Sequence, residues 1–404
     1  MSPLGRPPVY PDIVEEHFDE LDFLLELRDR VICSEKWTLP LLAAHEGRVE
    51  AHLDGLRLSE LHGVDLALAR IEEGDTYAAA AASLVLEATG EGEHRQAILD
   101  ALRGGPPESL MGILTALRHR DLGPFRRDLE DLNADADPLR AATAASLLAF
   151  SRMPAKNLDV LSGHESSEVR VLAMGAAGRL GELYQREIAA GVEAPNLEVR
   201  RAALEAAARL GVSGLIRHCR AASARDPDPD PEAVYFVGVL GDRSDLPLLE
   251  SLLSNPDLGA VATAALGALG LVEGVPLLLD LMGDDTLGVP ATAAYKRITG
   301  ADDVEGEKPY PPPEEEDETD DLPPDPEKAL ADWESRKSSM VSGVQWQRGI
   351  AIAPDRFPLD VPDLTLQARK DIYLRQRAYY GSSIPDLELE ALAGRQNQPI
   401  RPVS

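Results

Sequence analysis

The stretch VRVLAMGAAGRLG, residues 169–181, decides the fold, because thirty residues later it returns as VRRAALEAAARLG, residues 199–211. Each copy opens on Val-Arg, runs through alanine and leucine, and closes on glycine. The closing glycine recurs at Gly181, Gly211, Gly241, Gly270 and Gly300, at spacings of 30, 30, 29 and 30 residues. The opening positions twelve residues earlier are Val169, Val199, Pro229, Leu258 and Gly288; the third and fifth diverge but keep the phase. Gly90, Gly123 and Ser151 extend the pattern backwards at spacings of 33, 28 and 30. A fixed period of this length without β-rich segments predicts a stack of two-helix units, about eight of them between residues 75 and 300. The second helix of each unit is expected over 94–102, 125–132, 215–222, 246–253 and 275–282. Three residues before each opening position stand Ser166, Asn196, Asp226, Asn255 and Asp285, side chains suited to accept a hydrogen bond from a first helical turn. Asp135 and Asp137 flank the equivalent place in the unit before them.

The fold class expected is therefore all-α: an α-solenoid over residues 71–301, right-handed, with the Val-Arg helices inside. Residues 1–70 lack the glycine pattern and read as a helical N-terminal cap, which a stack needs to cover its apolar end. Within it, residues 11–32 carry an apolar stripe of Val14, Phe18, Leu21 and Leu25. A second helix is expected from Leu39 to Leu53 behind a Thr38 cap. After Gly300 the pattern stops, and residues 302–332 form an acidic, proline-rich linker, extended by like charge and by proline. Residues 333–404 form an aromatic extension, with Trp333, Trp346, Phe357, Tyr373, Tyr379 and Tyr380 and a helix from Leu364 to Tyr380 capped by Asp363.

The 404 residues carry a net charge of −30. Nucleic acid is disfavoured, since phosphates demand a basic footprint. Residues 333–404 are instead mildly basic, which favours either docking on the acidic helices or direct contact with a partner. No run of 18 apolar residues predicts membrane insertion, and Met1 to Arg6 lack the apolar core of a signal peptide. Cys33 and Cys219, the chain's two cysteines, read as buried thiols in a reducing cytoplasm rather than as a disulfide framework.

The units resemble HEAT repeats, particularly the short kind of bilin-lyase-like proteins. The resemblance rests on the polar turn residue, the Val-Arg pair and the Ala-Leu-Gly ending. It implies that Arg140, Arg170 and Arg200 support a ladder between adjacent turns. Later units hold Asp230, Gly259 and Val289 instead. His17-Phe18, the segment from Leu24 to Arg28 and the segment from Arg48 to Leu56, with Trp346 to Gly349, resemble a bacterial HEAT-repeat family found near type VI secretion genes. That resemblance implies a context, service to secretion or effector loading, and no catalytic residues.

Chemistry is sparse in the sequence. His45 and His52 stand two turns apart, about 10 Å, too far to share one ion on a straight helix. No phosphate loop and no nucleophile elbow is present. The repeated His-Glu pairs of the HEAT-like di-iron hydroxylases are missing. No cofactor, metal ligand or catalytic residue is assigned.

The inner helices offer a better surface. Counting the opening residue as zero, the sixth positions are Ala145, Gly175, Glu205, Tyr235, Ala264 and Ala294. The ninth are Leu148, Gly178, Ala208, Gly238, Gly267 and Arg297. These mostly small residues either admit a partner closely or let neighbouring helices pack tightly. Tyr235 and Glu205, with Trp333, Trp346 and Tyr373 of the extension, are the candidate protein-binding residues. The function expected is a non-enzymatic protein-binding scaffold or adaptor. The alternative is a modifying enzyme of bilin-lyase-like type, which a bound chromophore would reveal.

Overall fold

The computed structural model describes residues 10–59, 61–73, 75–181, 185–307, 322–353, 361 and 363–399. Among them the chain is predominantly helical, with twenty α-helices and one two-stranded hairpin. It divides into two compact units, residues 1–206 with 385–404, and residues 207–384.

The first unit opens with α1 (Pro11–Val31), α2 (Leu39–Leu58) and α3 (Leu61–Arg70), which all pack on α4 (Thr76–Thr89). The expected stripe of α1 is buried: Val14, Phe18, Leu21 and Leu25 join Leu53 and Leu56 of α2 in one core. Helix α2 runs one turn further than its sequence suggests, and Thr38 precedes it without a side-chain capping bond. Helix α4 carries Ala78 to Ala82, all buried, as befits a helix apolar on every side. These small residues let α6 (Pro107–Leu117) approach closely: a Cβ on Gly112 would lie 2.0 Å from the Thr76 carbonyl oxygen.

Helices α4, α6, α8 (Pro138–Phe150) and α10 (Ser167–Leu180) contact one another in series. The intervening α5 (Gly92–Gly104), α7 (Arg126–Leu132) and α9 (Leu158–Ser162) each pack on the helix that follows. Helix α11 (Gln185–Val192) comes next, and the division between units falls inside α12 (Leu197–Leu210). In the second unit α13 (Leu215–Ser223) packs on α14 (Pro231–Leu240), α15 (Leu246–Leu252) on α16 (Gly259–Leu269), and α17 (Val275–Leu281) on α18 (Gly288–Thr299). Helices α14, α16 and α18 again contact in series. The second helices predicted from the period thus all occur.

Gly181, Gly211, Gly270 and Gly300 end their helices with φ between +66° and +75°, and Gly90 does the same at +70°. Gly241 does not: its φ is −74°. Its small size is used otherwise, since a Cβ would meet the Val237 carbonyl oxygen at 2.3 Å and Asp245 Oδ2 at 2.5 Å. After Ser151 the left-handed turn passes to Arg152, at φ +57°. Ser166 and Asn196 cap as expected, and of the two acids flanking Ala136 it is Asp137 that caps α8. Two expected caps shift. Asp230 rather than Asp226 caps α14, because Pro231 sets the first turn there. Asp284 rather than Asp285 accepts from Thr286 and Leu287.

Of the expected linker, residues 308–321 lie outside the described residues, as does Phe357. Its flanks are paired. Gly306 donates to the Pro323 carbonyl at 2.8 Å and Asp325 to Val304 at 3.1 Å, and Val304 is fully buried. Helix α19 (Pro326–Arg336) already begins inside residues 302–332. Beyond it, strands β1 (Gln345–Gln347) and β2 (Ile350–Ile352) form an antiparallel hairpin that departs from a wholly helical reading. Arg348 and Gly349 both take positive φ at its two-residue turn, the geometry that suits strand twist. Helix α20 (Leu366–Tyr380) follows, and its cap is Thr365, which accepts from Ala368, rather than Asp363.

Candidate protein-binding surface

Tyr235 lies on α14, but its hydroxyl does not face an empty surface. It donates to Asp371 Oδ2 on α20 at 2.6 Å. The same carboxylate oxygen accepts from Arg297 Nη2 on α18 at 2.6 Å, and both side chains are 5% exposed. Gln367 Nε2 donates to Asp371 Oδ1 at 2.8 Å, and Arg297 Nε to Gln347 Oε1 at 2.9 Å. One buried polar cluster therefore ties α14, α18, the hairpin and α20 together within the second unit. A buried ion pair is tolerable only when its remaining donors and acceptors are satisfied in this way.

Around this cluster the extension supplies what helix ends lack. The last carbonyls of an α-helix have no intrahelical donor, and cations are favoured beside them. Arg377 Nε donates to the Arg209 carbonyl at the end of α12 at 3.0 Å. Arg375 Nη1 donates to Val239 and Gly241 at the end of α14, at 3.1 and 2.7 Å. The Trp346 amide donates to Gly270 at 2.7 Å, after α16, and the amides of Arg348 and Gly349 donate to Arg297 and Ile298 of α18 at 2.6 and 2.9 Å. The closing glycines have a second use here. A Cβ on Gly270 would lie 2.5 Å from the Trp346 carbonyl oxygen, and one on Gly300 2.5 Å from that of Arg348. Without side chains at these turns, the hairpin backbone can reach the helix ends.

Of the five candidate residues, four lie in the second unit and Glu205 in the first. Tyr373 is fully buried, with the Arg209 guanidinium 5.4 Å from its ring. This corrects its reading as a partner contact: it holds α20 in place. Tyr235 is engaged by α20 as described. Trp346 is half-buried, with Nε1 donating to the Val341 carbonyl at 3.1 Å, and Trp333 is half-buried on α19. Glu205 is half-buried on α12 in the first unit. The ninth-row residues face neighbouring helices. Cβ atoms on Gly178, Gly238 and Gly267 would lie 2.9, 2.3 and 3.0 Å from atoms of Ala206, Ala265 and Ala294. Of the two readings open for these small residues, tight helix packing is the one the geometry displays.

The arginines at the turns also act within the chain. Arg170 donates to the carbonyls of Ser162 and Ala190, both at 3.3 Å, linking two turns. Arg200 Nη1 donates to Ala194 at 2.9 Å, and Arg140 pairs with its own cap residue Asp137 at 3.4 Å.

The sequence reading missed a second cluster, in the first unit. Glu388, 3% exposed, accepts from Arg152 Nη1 at 3.2 Å and Arg179 Nε at 2.8 Å. Arg179 Nη2 also reaches Glu390 at 2.8 Å. Burial alone would lower the Arg179 pKa, but Glu388 and Glu390, with Glu205 beyond them, hold it above its ordinary value. Buried Arg28 binds Glu46 at 2.9 Å and the Ala391 carbonyl at 3.1 Å, while Glu46 accepts from the Ala393 amide at 2.8 Å. The available signal was the run Leu387-Glu388-Leu389-Glu390, whose acids sit among buried leucines.

Beside Arg28 a cleft of about 370 Å3, counting its open mouth, is walled by Leu25, Val49, Leu84 and Leu392, with His119 and Arg120 at its polar end. Burial, then Arg28, Arg118 and Arg120, push the His119 pKa well below its usual value, so the ring is neutral. Its Nε2 accepts from Arg118 Nε at 3.2 Å, which leaves the proton on Nδ1. Of the two cysteines, Cys219 is buried, with burial and Asp230 pushing its thiol up to about 12. Cys33 is exposed, a correction to its expected burial; it sits in the turn after α1 ends at Val31. No helix among the described residues is long and apolar enough to cross a membrane. Comparison with protein-family models and with curated proteins finds no match to this chain.

Proposed function

We propose that this chain is a non-enzymatic protein-binding scaffold or adaptor. It is built as an α-solenoid of about eight HEAT-like units, with the β1–β2 hairpin and α20 serving as an integral strap of the second unit. The observation that carries the reading is the alternation of contacts. Within the first unit α4, α6, α8 and α10 pack in series, within the second α14, α16 and α18 do so, each with the short helix before it, and left-handed glycines close the helices at 90, 181, 211, 270 and 300. Such an array provides long surfaces of regularly spaced helices, which suit protein recognition more than small-molecule chemistry. With −30 net charge, the chain favours a partner with a basic surface. Because Tyr235, Asp371 and Tyr373 are committed inside the chain, the partner contact falls on other faces. The resemblance noted in the sequence supports a secretion context for that partner, as a component of a type VI system or an effector awaiting loading.

The test is affinity purification of the full chain from its host, followed by reconstitution from two purified proteins. The proposal expects one protein to co-purify and to rebuild a defined complex that weakens with salt. Failure to reconstitute any complex, or a chromophore bound to the purified chain, would overturn it.

A further inference from the structure

One pair of side chains in the first unit brings two imidazoles together across α1 and α2. His17 on α1 and His52 on α2 face each other with their Nδ1 atoms 3.2 Å apart and their rings nearly perpendicular, at 74°. The position is built for an imidazole. A Cβ on Gly55, one turn beyond His52, would lie 2.8 to 3.0 Å from three atoms of the His17 ring, so any larger residue there would expel it. A tetrahedral Zn2+ binds imidazole nitrogen at about 2.0–2.1 Å, which sets two ligand nitrogens about 3.3 Å apart. The observed separation matches that bite.

Two further features fit. Glu20 lies one turn along α1 from His17 and hence on the same face. It makes a loose ion pair with Arg48 at 3.9 Å, with both side chains about half exposed, a contact of little energy that the carboxylate can leave. Both histidines are only partly exposed, so an ion can reach them from solvent. As the side chains stand, no group of three His, Cys, Asp or Glu is assembled for a metal among the described residues. The third ligand therefore requires Glu20 to turn from Arg48.

We propose that His17 and His52, with Glu20 as the movable third ligand and water as the fourth, bind a divalent transition ion of the Zn2+ type. The ion clamps α1 to α2. Its nitrogen ligands and single carboxylate favour Zn2+ over Mg2+ or Ca2+, which take oxygen.

The experiment titrates the full chain, stripped by a chelator, with Co2+ as a visible stand-in and with Zn2+. The expected result is one Co2+ per chain with the absorption of a tetrahedral site, and a melting temperature raised by Zn2+ but not by Mg2+. His52→Gln and His17→Gln should each weaken binding at least about 100-fold, the upper end of what loss of a mere supporting residue costs. Glu20→Gln should weaken it about tenfold. The exposed His62→Gln should change nothing. Circular dichroism checks folding; if His17→Gln fails to fold, the more peripheral His52→Gln decides alone. No stoichiometric Co2+ band, or a band that survives His52→Gln, would overturn the proposal.

Discussion

Replacing Asp371 with alanine removes the acceptor shared by Arg297, Tyr235 and Gln367. Arg297 is 5% exposed and would keep Gln347 and the Tyr235 hydroxyl but lose the Asp371 carboxylate at 2.6 Å. Breaking a buried pair from one side costs about 3–5 kcal/mol, because the remaining charge stays buried without compensation. With a urea dependence of about 2 kcal/mol/M for a unit of this size, the midpoint should fall by about 1.5–2.5 M. Trp333 and Trp346 both belong to the second unit and Trp37 to the first. Fluorescence in a Trp37→Phe background therefore follows the second unit alone. The double variant Arg297→Met with Asp371→Leu removes both charges and should recover most of the loss, to within about 1–2 kcal/mol of the parent. A fall below about 0.5 M for Asp371→Ala would refute the cluster as the tie between α20 and the helices.

The closing glycines should respond unequally. Gly181→Ala meets open space and bears only the left-handed backbone penalty of about 1–2 kcal/mol, whereas Gly300→Ala adds a collision with Arg348 and should cost clearly more; equal losses in melting temperature would remove the hairpin's docking from the explanation. Burial, then Asp75, raises the Asp22 carboxyl to about 6. Its charge therefore costs stability above pH 6, and that cost fades as pH falls through 6 toward 4. Asp22→Asn should raise the melting temperature at pH 7 by about 1–3 °C, after allowance for its partial exposure, and by nothing near pH 4; an unchanged value at pH 7 would count against the raised pKa. Glu388→Gln should destabilise the first unit by about 1–3 kcal/mol in urea unfolding, because Arg152 and Arg179 lose their shared carboxylate but keep Asp386 and Glu390; a neutral result would show the pair to be dispensable.

The helices were legible because their signals are local. Periodic alanine and leucine, a polar cap and a closing glycine all act within about fourteen residues, so α10 and α12 could be read almost to their ends. Gly241 misled because the sequence does not distinguish a glycine kept for left-handed backbone from one kept for close approach. Asp226 misled because Pro231, five residues on, fixes the first turn and hands the cap to Asp230. The extension was illegible for another reason. Arg375, Arg377 and Trp346 act on carbonyls more than seventy residues away in sequence, and nothing local marks them. Arg297 was the visible clue: a large cation in a row of alanine and glycine implies a counter-ion, which proved to be Asp371. His17 and His52 escaped because their approach depends on the pairing of α1 with α2, not on spacing along either helix.

The strap is the most direct point of attack. Amide hydrogen exchange on the full chain at neutral pH compares α20 and the β1–β2 hairpin with α14, α16 and α18. An integral strap requires the slowest amides of α20 and the hairpin to exchange on the same timescale as the slowest of those helices, because they open only when the second unit unfolds. Exchange of α20 many times faster, with α14 to α18 still protected, would contradict it and would return the extension to the role of a displaceable arm.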